Sequence, residues 1–559
     1  MKYLLFLLFT ITANADEAAK SIFNGKDLTG WKVECLKPDN KKSYWSAKDG
    51  AITLDTKGDT KHDYVWLTYE KELSAFELTL KVRSIRKTAG NSGVQIRSRY
   101  TDLGPDSKKS HYLNGPQIDI HPPTPYRVGL IYDETMGIQR WIYPSMKNWA
   151  IQPTDAPHIW SWQSLNDDGS YSTITNADKP TAAHPLAAED IKQGWNSLKI
   201  RAQGNQIQTW LNGHPVTNFD GKIDLNTEFH KKYKVGQSGR ISLQLHAGDD
   251  LALQFKDIML ENLAAQTKQA SITVDEKTLK GELVITKENR SRVALFVSGS
   301  GPTDRDGNTV GMPGKNNSLK YLSEFLNDGG ISTLRVDKRG VAQSADAKIK
   351  EEDLRFTTYV DDIGHWIQFL KTQGFSEIIL IGHSEGTLAA TLAAKDEAVI
   401  NLVTIAGAGR PAGDILKSQL KPQLPDELYK QAEIVISDLT EGKLVKNPPA
   451  SLLSIFRPSA QPYLISWLKY DPAKEIAKLN MPTLIIRGTT DLQVTEEDAK
   501  LLNASAKNSH LIVIPGMNHV LKKVAGNMQT QFPSYVDPKL PLHEELGKAV
   551  LDFSLKTNK

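Results

Sequence analysis

Over residues 21–261, apolar and polar side chains alternate along the chain. Phe76-Glu77-Leu78-Thr79-Leu80-Lys81-Val82-Arg83 has the period of two that turns every second side chain onto one face of a half-buried strand. Residues 195–210 repeat the pattern around a turn at Gly204-Asn205. Asn212-Gly213 is a strong hairpin signal, because both residues tolerate positive φ. Helical periodicity is scarce here, so this half predicts an all-β fold, a sandwich of two sheets.

The pattern changes from about Ser271. Residues 293–297 form a continuous apolar run, which marks a strand buried on both faces. Similar runs occupy residues 332–336, 377–381, 402–406, 483–486 and 511–514. Amphipathic helices are expected between them: Ile363, Trp366, Ile367 and Leu370 fall at i, i+3, i+4 and i+7. This rhythm predicts a mostly parallel sheet with helices on both faces. A polar stretch rich in Ala, Gln and Lys, residues 263–269, is the expected join. Residues 410–475 break the rhythm with prolines and several helix-like segments, and predict a helical cap inserted over the sheet. The expected organisation is therefore a β-sandwich over residues 16–264 and an α/β unit over residues 265–559.

Composition adds bounds. A chain of 559 residues is long enough for both cores. The net charge of +3 is nearly balanced and no basic block stands out, which argues against nucleic acid as a partner. Lys2, the short apolar run 3–11 and Ala13-Asn14-Ala15 have the layout of a signal peptide over residues 1–15, so export to the periplasm or beyond is expected. No stretch approaches the ~20 apolar residues of a transmembrane helix. The single cysteine, Cys35, rules out an intrachain disulfide and a thiolate zinc cluster within one chain. H-E-x-x-H is absent, Gly311 to Lys315 lacks Walker A spacing, and Gly299-Ser300-Gly301 opens no dinucleotide fingerprint. No metal or cofactor is expected, and nothing in the sequence fixes an oligomeric state.

Candidate chemistry concentrates in the second half. Gly382-His383-Ser384-Glu385-Gly386 fits G-x-S-x-G. The pattern alone is weak, but an apolar strand runs into it and the Ala-rich segment 387–394 leaves it as a helix, which is the context the motif requires. A serine hydroxyl needs a base. In such a sheet the acid and the histidine come later, each just after a strand. Asp491 follows the run 483–486, and His519 follows the run 511–514. Glu496, Glu497 and Asp498 follow Thr495 and read as a helix first turn. His510 lies at the wrong end of its strand, and His543 falls in the terminal helix. Ser384, Asp491 and His519 are therefore the expected nucleophile, acid and base. Two backbone N–H donors must receive the developing oxyanion. One is expected from Glu385, and the other from Ser300 or Gly301 in the loop after residue 297. Asp304, Arg305 and Asp306 in that loop either contact substrate or form loop ion pairs.

Ser298 to Asn308, Leu334-Arg335-Val336-Asp337-Lys338-Arg339-Gly340 and Gly382 to Gly386 together resemble bacterial α/β-hydrolases of the esterase and serine aminopeptidase-like group. The resemblance covers about residues 271–559 and implies acyl-ester hydrolysis, with peptidase activity as the competitor. Ser298 departs from the pattern, since many relatives carry His there. The first half has its own resemblance. Ile22-Phe23-Asn24-Gly25-Lys26-Asp27-Leu28-Thr29-Gly30-Trp31, Asn91 to Arg99, Gly115 to Ile120, Leu130 to Glu134 and Trp210-Leu211-Asn212-Gly213 are similar to the 3-keto-disaccharide hydrolase domain, a concanavalin-like jelly roll. That resemblance implies a carbohydrate-directed site near Arg97, Asp119 and Glu134. Its two carboxylates either perform acid/base work on a glycosidic bond or serve as polar strand-end groups and sugar hydrogen-bonders.

The leading expectation is an exported serine esterase acting on acylated carbohydrate or a related ester. The rivals are a bifunctional enzyme whose first domain cleaves (3-keto)glycosides, a serine peptidase with an appended sugar-binding module, and a pure binding protein with a degenerate hydrolase. An intact nucleophile, acid and base in strand-end context count against the last.

Overall fold

The structure is a computed structural model describing residues 19–102, 111–121, 127–143, 161–175, 186–287 and 291–556. The expected signal segment lies outside the described residues. The chain divides into two units, Met1–Ala264 and Ala265–Lys559.

The alternation in the first half folds as two antiparallel sheets in a jelly-roll-like sandwich. In Phe76–Ser84, buried and half-buried residues alternate along most of the strand, as the period of two requires. This strand lies at the centre of one sheet, between Asn196–Gln203 and Ala252–Asn262. Ser92–Asp102 holds the same position in the other sheet, between Pro116–His121 and Arg240–Leu245. The core between the sheets takes Leu78, Leu80, Ile200 and Phe255 from the first and Leu67, Val94, Ile118 and Leu243 from the second. The hairpin at Asn212-Gly213 forms, with φ values of 49° and 82°.

In the second unit we number strands and helices from β1 and α1. Its eight-stranded sheet contains β1 (Gln266–Val274), β2 (Lys277–Ile285), β3 (Arg292–Val297), β4 (Ser332–Val336), β5 (Glu377–His383), β6 (Val399–Ile405), β7 (Thr483–Gly488) and β8 (Ser509–Ile514). Their spatial order is β1-β2-β4-β3-β5-β6-β7-β8, parallel from β4 through β8 and antiparallel at β1-β2-β4. The principal helices are α1 (Ser318–Asp328), α2 (Phe356–Thr372), α3 (Gly386–Ala393), α4 (Ala412–Leu420), α5 (Asp426–Thr440), α6 (Gln461–Leu468), α7 (Pro472–Ile476), α8 (Glu496–Ser505), α9 (Met528–Val536) and α10 (Glu544–Leu555).

The sheet is covered on both faces, with Trp366, Ile367 and Leu370 of α2 in one core and Leu322 of α1 and Val550 of α10 in the other. Burying a side chain of the size of Phe or Leu contributes on the order of 2–3 kcal/mol. The boundary between the units, at Ala264, falls within the expected join at residues 263–269, and the second part of that stretch already belongs to β1, which begins at Gln266. Its first four residues are exposed, so this edge strand is held by backbone pairing to β2 and carries no apolar signature there. Between β6 and β7, α4 to α7 fold as an inserted helical region. Ala412, Ile436, Phe456 and Leu468 form a separate core there.

Candidate active site

The parallel strands end together, and the predicted groups emerge at those ends. β5 runs to His383, and Ser384 takes φ +54°, the left-handed region that a non-glycine residue adopts at a cost of order 1–3 kcal/mol. The turn is held because Ser384 N donates to the Ile405 carbonyl at the end of β6, at 2.9 Å. Glycine on either side is a packing requirement. A Cβ on Gly382 would stand 2.6 Å from Thr387 Cα, and one on Gly386 2.4 Å from the Val297 carbonyl oxygen. The sharp turn therefore places the hydroxyl at the strand edge and starts α3 directly behind it.

Asp491 follows β7 and His519 follows β8. The imidazole Nδ1 lies 2.9 and 3.1 Å from the two Asp491 carboxylate oxygens, and both residues are buried. A carboxylate only accepts, so Nδ1 carries the proton and Nε2 is the basic nitrogen. Burial opposes ionisation of Asp491. The neighbouring His519 and the Gln493 and Val494 amides outweigh it, so the carboxyl titrates below the ordinary range. His383 supports the histidine from the other side. Its Nε2 donates to the His519 backbone carbonyl at 2.9 Å, and the rings lie 5.0 Å apart. Burial and the adjacent His519 lower the His383 pKa to about 4, so it stays neutral as a spacer.

Ser384 opens onto a cavity of about 100 Å³ lined by Ser300, Leu388, Ile415 and Trp467 among others. Of the two candidate loop donors, Ser300 lines this cavity and Gly301 does not. Asp304, Arg305 and Asp306 are loop ion pairs and caps. Asp304 accepts from the Asp306 and Asn308 amides, Arg305 chelates the buried Asp337, and Asp306 binds Arg335. Thr495 and Asp498 form the capping box of α8, as expected for a helix first turn. The sequence reading missed Lys338 and Tyr463. Lys338 donates to the Gly299 carbonyl at 2.6 Å, and the Tyr463 hydroxyl of α6 donates to Glu385 at 2.8 Å. Lys338 sat inside a quoted motif, whereas no signal marked Tyr463.

In the first unit, Asp119 and Glu134 belong to a buried polar bed with Gln95, Gln117 and Gln244. Gln117 donates to Asp119 at 2.9 Å, Tyr112 donates to Glu134, and Gln244 lies 3.4 Å from Glu134. Gly93 makes room for the bed, since a Cβ there would stand 2.4 Å from the Gln117 side chain. Burial raises the Asp119 pKa to about 7, and the charge of Glu134 adds to the shift. Arg97 is not brought to these carboxylates. It sits at φ +47° where the strand register shifts, and its guanidinium donates to the Gly204 and Gly236 carbonyls. A bulge re-aims a side chain in this way. Among the described residues, no group of three His, Cys, Asp or Glu could hold a metal ion, and no helix is long and apolar enough to cross a membrane.

Comparison with known proteins agrees with this division. Residues 18–261 match the 3-keto-alpha-glucoside-1,2-lyase-like domain, and residues 310–523 match the serine aminopeptidase S33 family. Esterase EstD of Thermotoga maritima is 27% identical over 369 residues, which is 64% of this chain and 86% of that protein. Among solved structures, Est1E from Butyrivibrio proteoclasticus with bound ferulic acid has 20% identity and a TM-score of 0.36 over 51% of this chain and 98% of its own. The Exiguobacterium antarcticum esterase EaEST has 18% identity and a TM-score of 0.33 over 52% of this chain and 100% of its own. The chain thus joins a β-sandwich similar to the 3-keto-alpha-glucoside-1,2-lyase-like domain to an α/β-hydrolase fold similar to the serine aminopeptidase S33 family.

Proposed function

We propose that the second unit is a carboxylic ester hydrolase with Ser384 as nucleophile, His519 as general base and Asp491 as its orienting acid. The observation that carries this reading is the paired contact of Asp491 with His519 Nδ1, at the same sheet edge as the strained Ser384 turn. Ser384 Oγ attacks the acyl carbon while His519 Nε2 takes its proton. The N–H groups of Glu385 and a residue of the Ser298–Asn308 loop receive the oxyanion. Collapse expels the alcohol, which takes the proton from His519. Water, deprotonated by the same imidazole, then cleaves the acyl-serine to acid and free Ser384. The apolar lining from Leu388, Ile415 and Trp467 suits a compact acyl group. A peptidase that selects a free amino terminus needs an open carboxylate for the ammonium. The acid lining the cavity is Glu385, whose carboxyl is engaged by Tyr463, and this favours the ester.

The substrate we infer is an acylated carbohydrate outside the cytoplasm. Three buried amide side chains of the first unit, Gln95, Gln117 and Gln244, direct their NH2 groups to protein acceptors, leaving carbonyl oxygens suited to sugar hydroxyls. A second reading, glycoside cleavage by the first unit, is favoured by the burial of Asp119 beside Glu134, which raises its pKa to about 7, so that part of the population carries the proton an acid needs near neutral pH.

The test uses full-length protein and Ser384→Ala. The parent is expected to hydrolyse acetyl esters of phenols and sugars, outpace its own rate on aminoacyl amides, and take a fluorophosphonate label. The variant is expected to lose label and at least ~10³-fold in kcat while keeping its fold. Retention of a tenth of the parent rate overturns the assignment.

A further inference from the structure

Two N–H groups compete for the second oxyanion donor, and the neighbourhood of Lys338 separates them. A trans peptide unit is planar, with its C=O and N–H pointing in opposite directions. The Gly299 carbonyl and the Ser300 N–H share one such unit. Lys338 Nζ holds that carbonyl at 2.6 Å. Fixing the carbonyl on the Lys338 side aims the Ser300 N–H the other way. The same peptide lies against the nucleophile: a Cβ on Gly299 would stand 3.1 Å from Ser384 Cβ, and Ser300 lines the cavity that Ser384 opens onto. Gly301 is placed differently. Its N–H shares a peptide with the Ser300 carbonyl, which Thr303 Oγ1 binds at 2.8 Å, and a Cβ on Gly301 would meet nothing within 4 Å.

We propose that Lys338 is a positioning residue: its ammonium anchors the Gly299 carbonyl and thereby presents the Ser300 N–H as the second oxyanion donor beside Glu385 N–H. The proposal rests on Ser384 being the nucleophile.

The charged groups around Lys338 fit this role. Asp337 on its N-terminal side is taken by Arg305, and Arg339 on its C-terminal side is taken by Asp362 of α2. From α2, the Tyr359 ring lies 5.3 Å from Nζ. From the turn after β5, Glu385 acts on the ammonium through its charge, and Tyr463 of α6 holds that carboxyl. Lys338 as a whole keeps some exposure, but its ammonium is enclosed, and it lines a second, smaller cavity with Tyr359 and Glu385. Enclosure lowers its pKa to about 8, partly offset by the charge of Glu385. The ammonium is therefore charged below about pH 8 and loses its proton above it, and a neutral amine is a weaker anchor.

The experiment is the pH dependence of kcat on a small acetyl ester for the parent, Lys338→Met, Lys338→Arg and Glu385→Gln, with Ser384→Ala as reference. The parent is expected to lose activity as pH rises through about 8. Lys338→Met is expected to lose roughly 10–100-fold in kcat with KM within about threefold. That is less than the ~10²–10³ for outright removal of an oxyanion donor. It should also show no alkaline fall. Lys338→Arg, always charged, should recover part of the rate and stay active to higher pH. Glu385→Gln retains its backbone N–H and should move the alkaline fall to lower pH, because the carboxylate favours the ammonium. A parent rate that is level to pH 9.5, a Lys338→Met kcat within threefold of the parent, or an alkaline fall that persists in Lys338→Arg overturns the proposal. If Lys338→Met does not fold, the parent profile and the Glu385→Gln shift decide it. If Ser384→Ala stays active, the nucleophile assignment fails instead.

Discussion

Replacing Asp491 by Asn tests the acid with the least disturbance to the fold. The amide is isosteric, and its remaining oxygen still accepts from the Gln493 and Val494 amides, which lie 2.8 and 3.2 Å from Oδ1. Two things are lost. The first is the charge that stabilises the imidazolium formed when His519 takes the serine proton. With the atoms in contact at 2.9 Å, the charge centres are ~4–5 Å apart, and at an effective dielectric of ~20 their attraction is roughly 3–4 kcal/mol. That is a factor of ~10²–10³ in rate. The second is the tautomer: an NH2 group facing Nδ1 favours the proton on Nε2, the nitrogen that must act as base. Together they predict a fall in kcat of ~10³–10⁴ with KM little changed. The measurement is steady-state hydrolysis of an acetyl ester, with urea unfolding and circular dichroism to confirm the fold. A folded Asp491→Asn protein with more than a tenth of the parent kcat refutes the placement of Asp491 behind His519.

Two further predictions concern stability and the first unit. Arg339 and Asp362 form a buried bidentate pair, and Arg339→Met strands a carboxylate that burial already biases against ionisation, so unfolding stability should fall by about 3–5 kcal/mol in urea titrations; a shift under 1 kcal/mol refutes it. The double variant Asp119→Asn, Glu134→Gln in the full chain should leave hydrolysis of a small soluble acetyl ester unchanged and slow release of acetate from an insoluble acetylated glycan several-fold, since capture acts through effective concentration and not through the chemical step. Equal loss on both substrates contradicts that division of labour.

The parts of this fold that were legible in the sequence are those where one pattern has one physical meaning. A strand buried on both faces shows a near-continuous apolar run, so the run at residues 293–297 matches β3 (Arg292–Val297) to within one residue. The positions of Ser384, Asp491 and His519 at one edge of the sheet were legible because each follows a strand with an apolar run. The edge strand β1 was not, since its exposed Gln266-Thr267-Lys268-Gln269 start has the texture of a linker. The direction of Arg97 was not legible either, because the register shift beside it is set by pairing with a distant strand and has no local sequence signal. Lys338 lies in the run Leu334 to Gly340, and nothing in that run points to its partner. Its partner is a backbone carbonyl on another loop, a contact that neither periodicity nor residue type announces.

The run Asp337-Lys338-Arg339-Gly340 shows why the surroundings of the nucleophile hold so many buried charges. Asp337 ties Arg305 of the oxyanion loop, Arg339 ties α2 through Asp362, and Lys338 ties the Gly299 carbonyl. Nearby, Arg335 ties Asp306, and Arg410 ties the start of the inserted helices to Asp498 of α8. Buried pairs of this kind add little net stability, because desolvation offsets most of their attraction. Their geometric effect is larger. Each restrains a loop that has no ladder of its own, at the strand ends where regular hydrogen bonding stops. An oxyanion donor stabilises the transition state only when it already points at the place where charge develops, since a loop that must reorganise gives that energy back. On this argument the charges around Ser384 serve to hold backbone N–H groups in position, and a single ammonium on a carbonyl acts on the reaction from one peptide away.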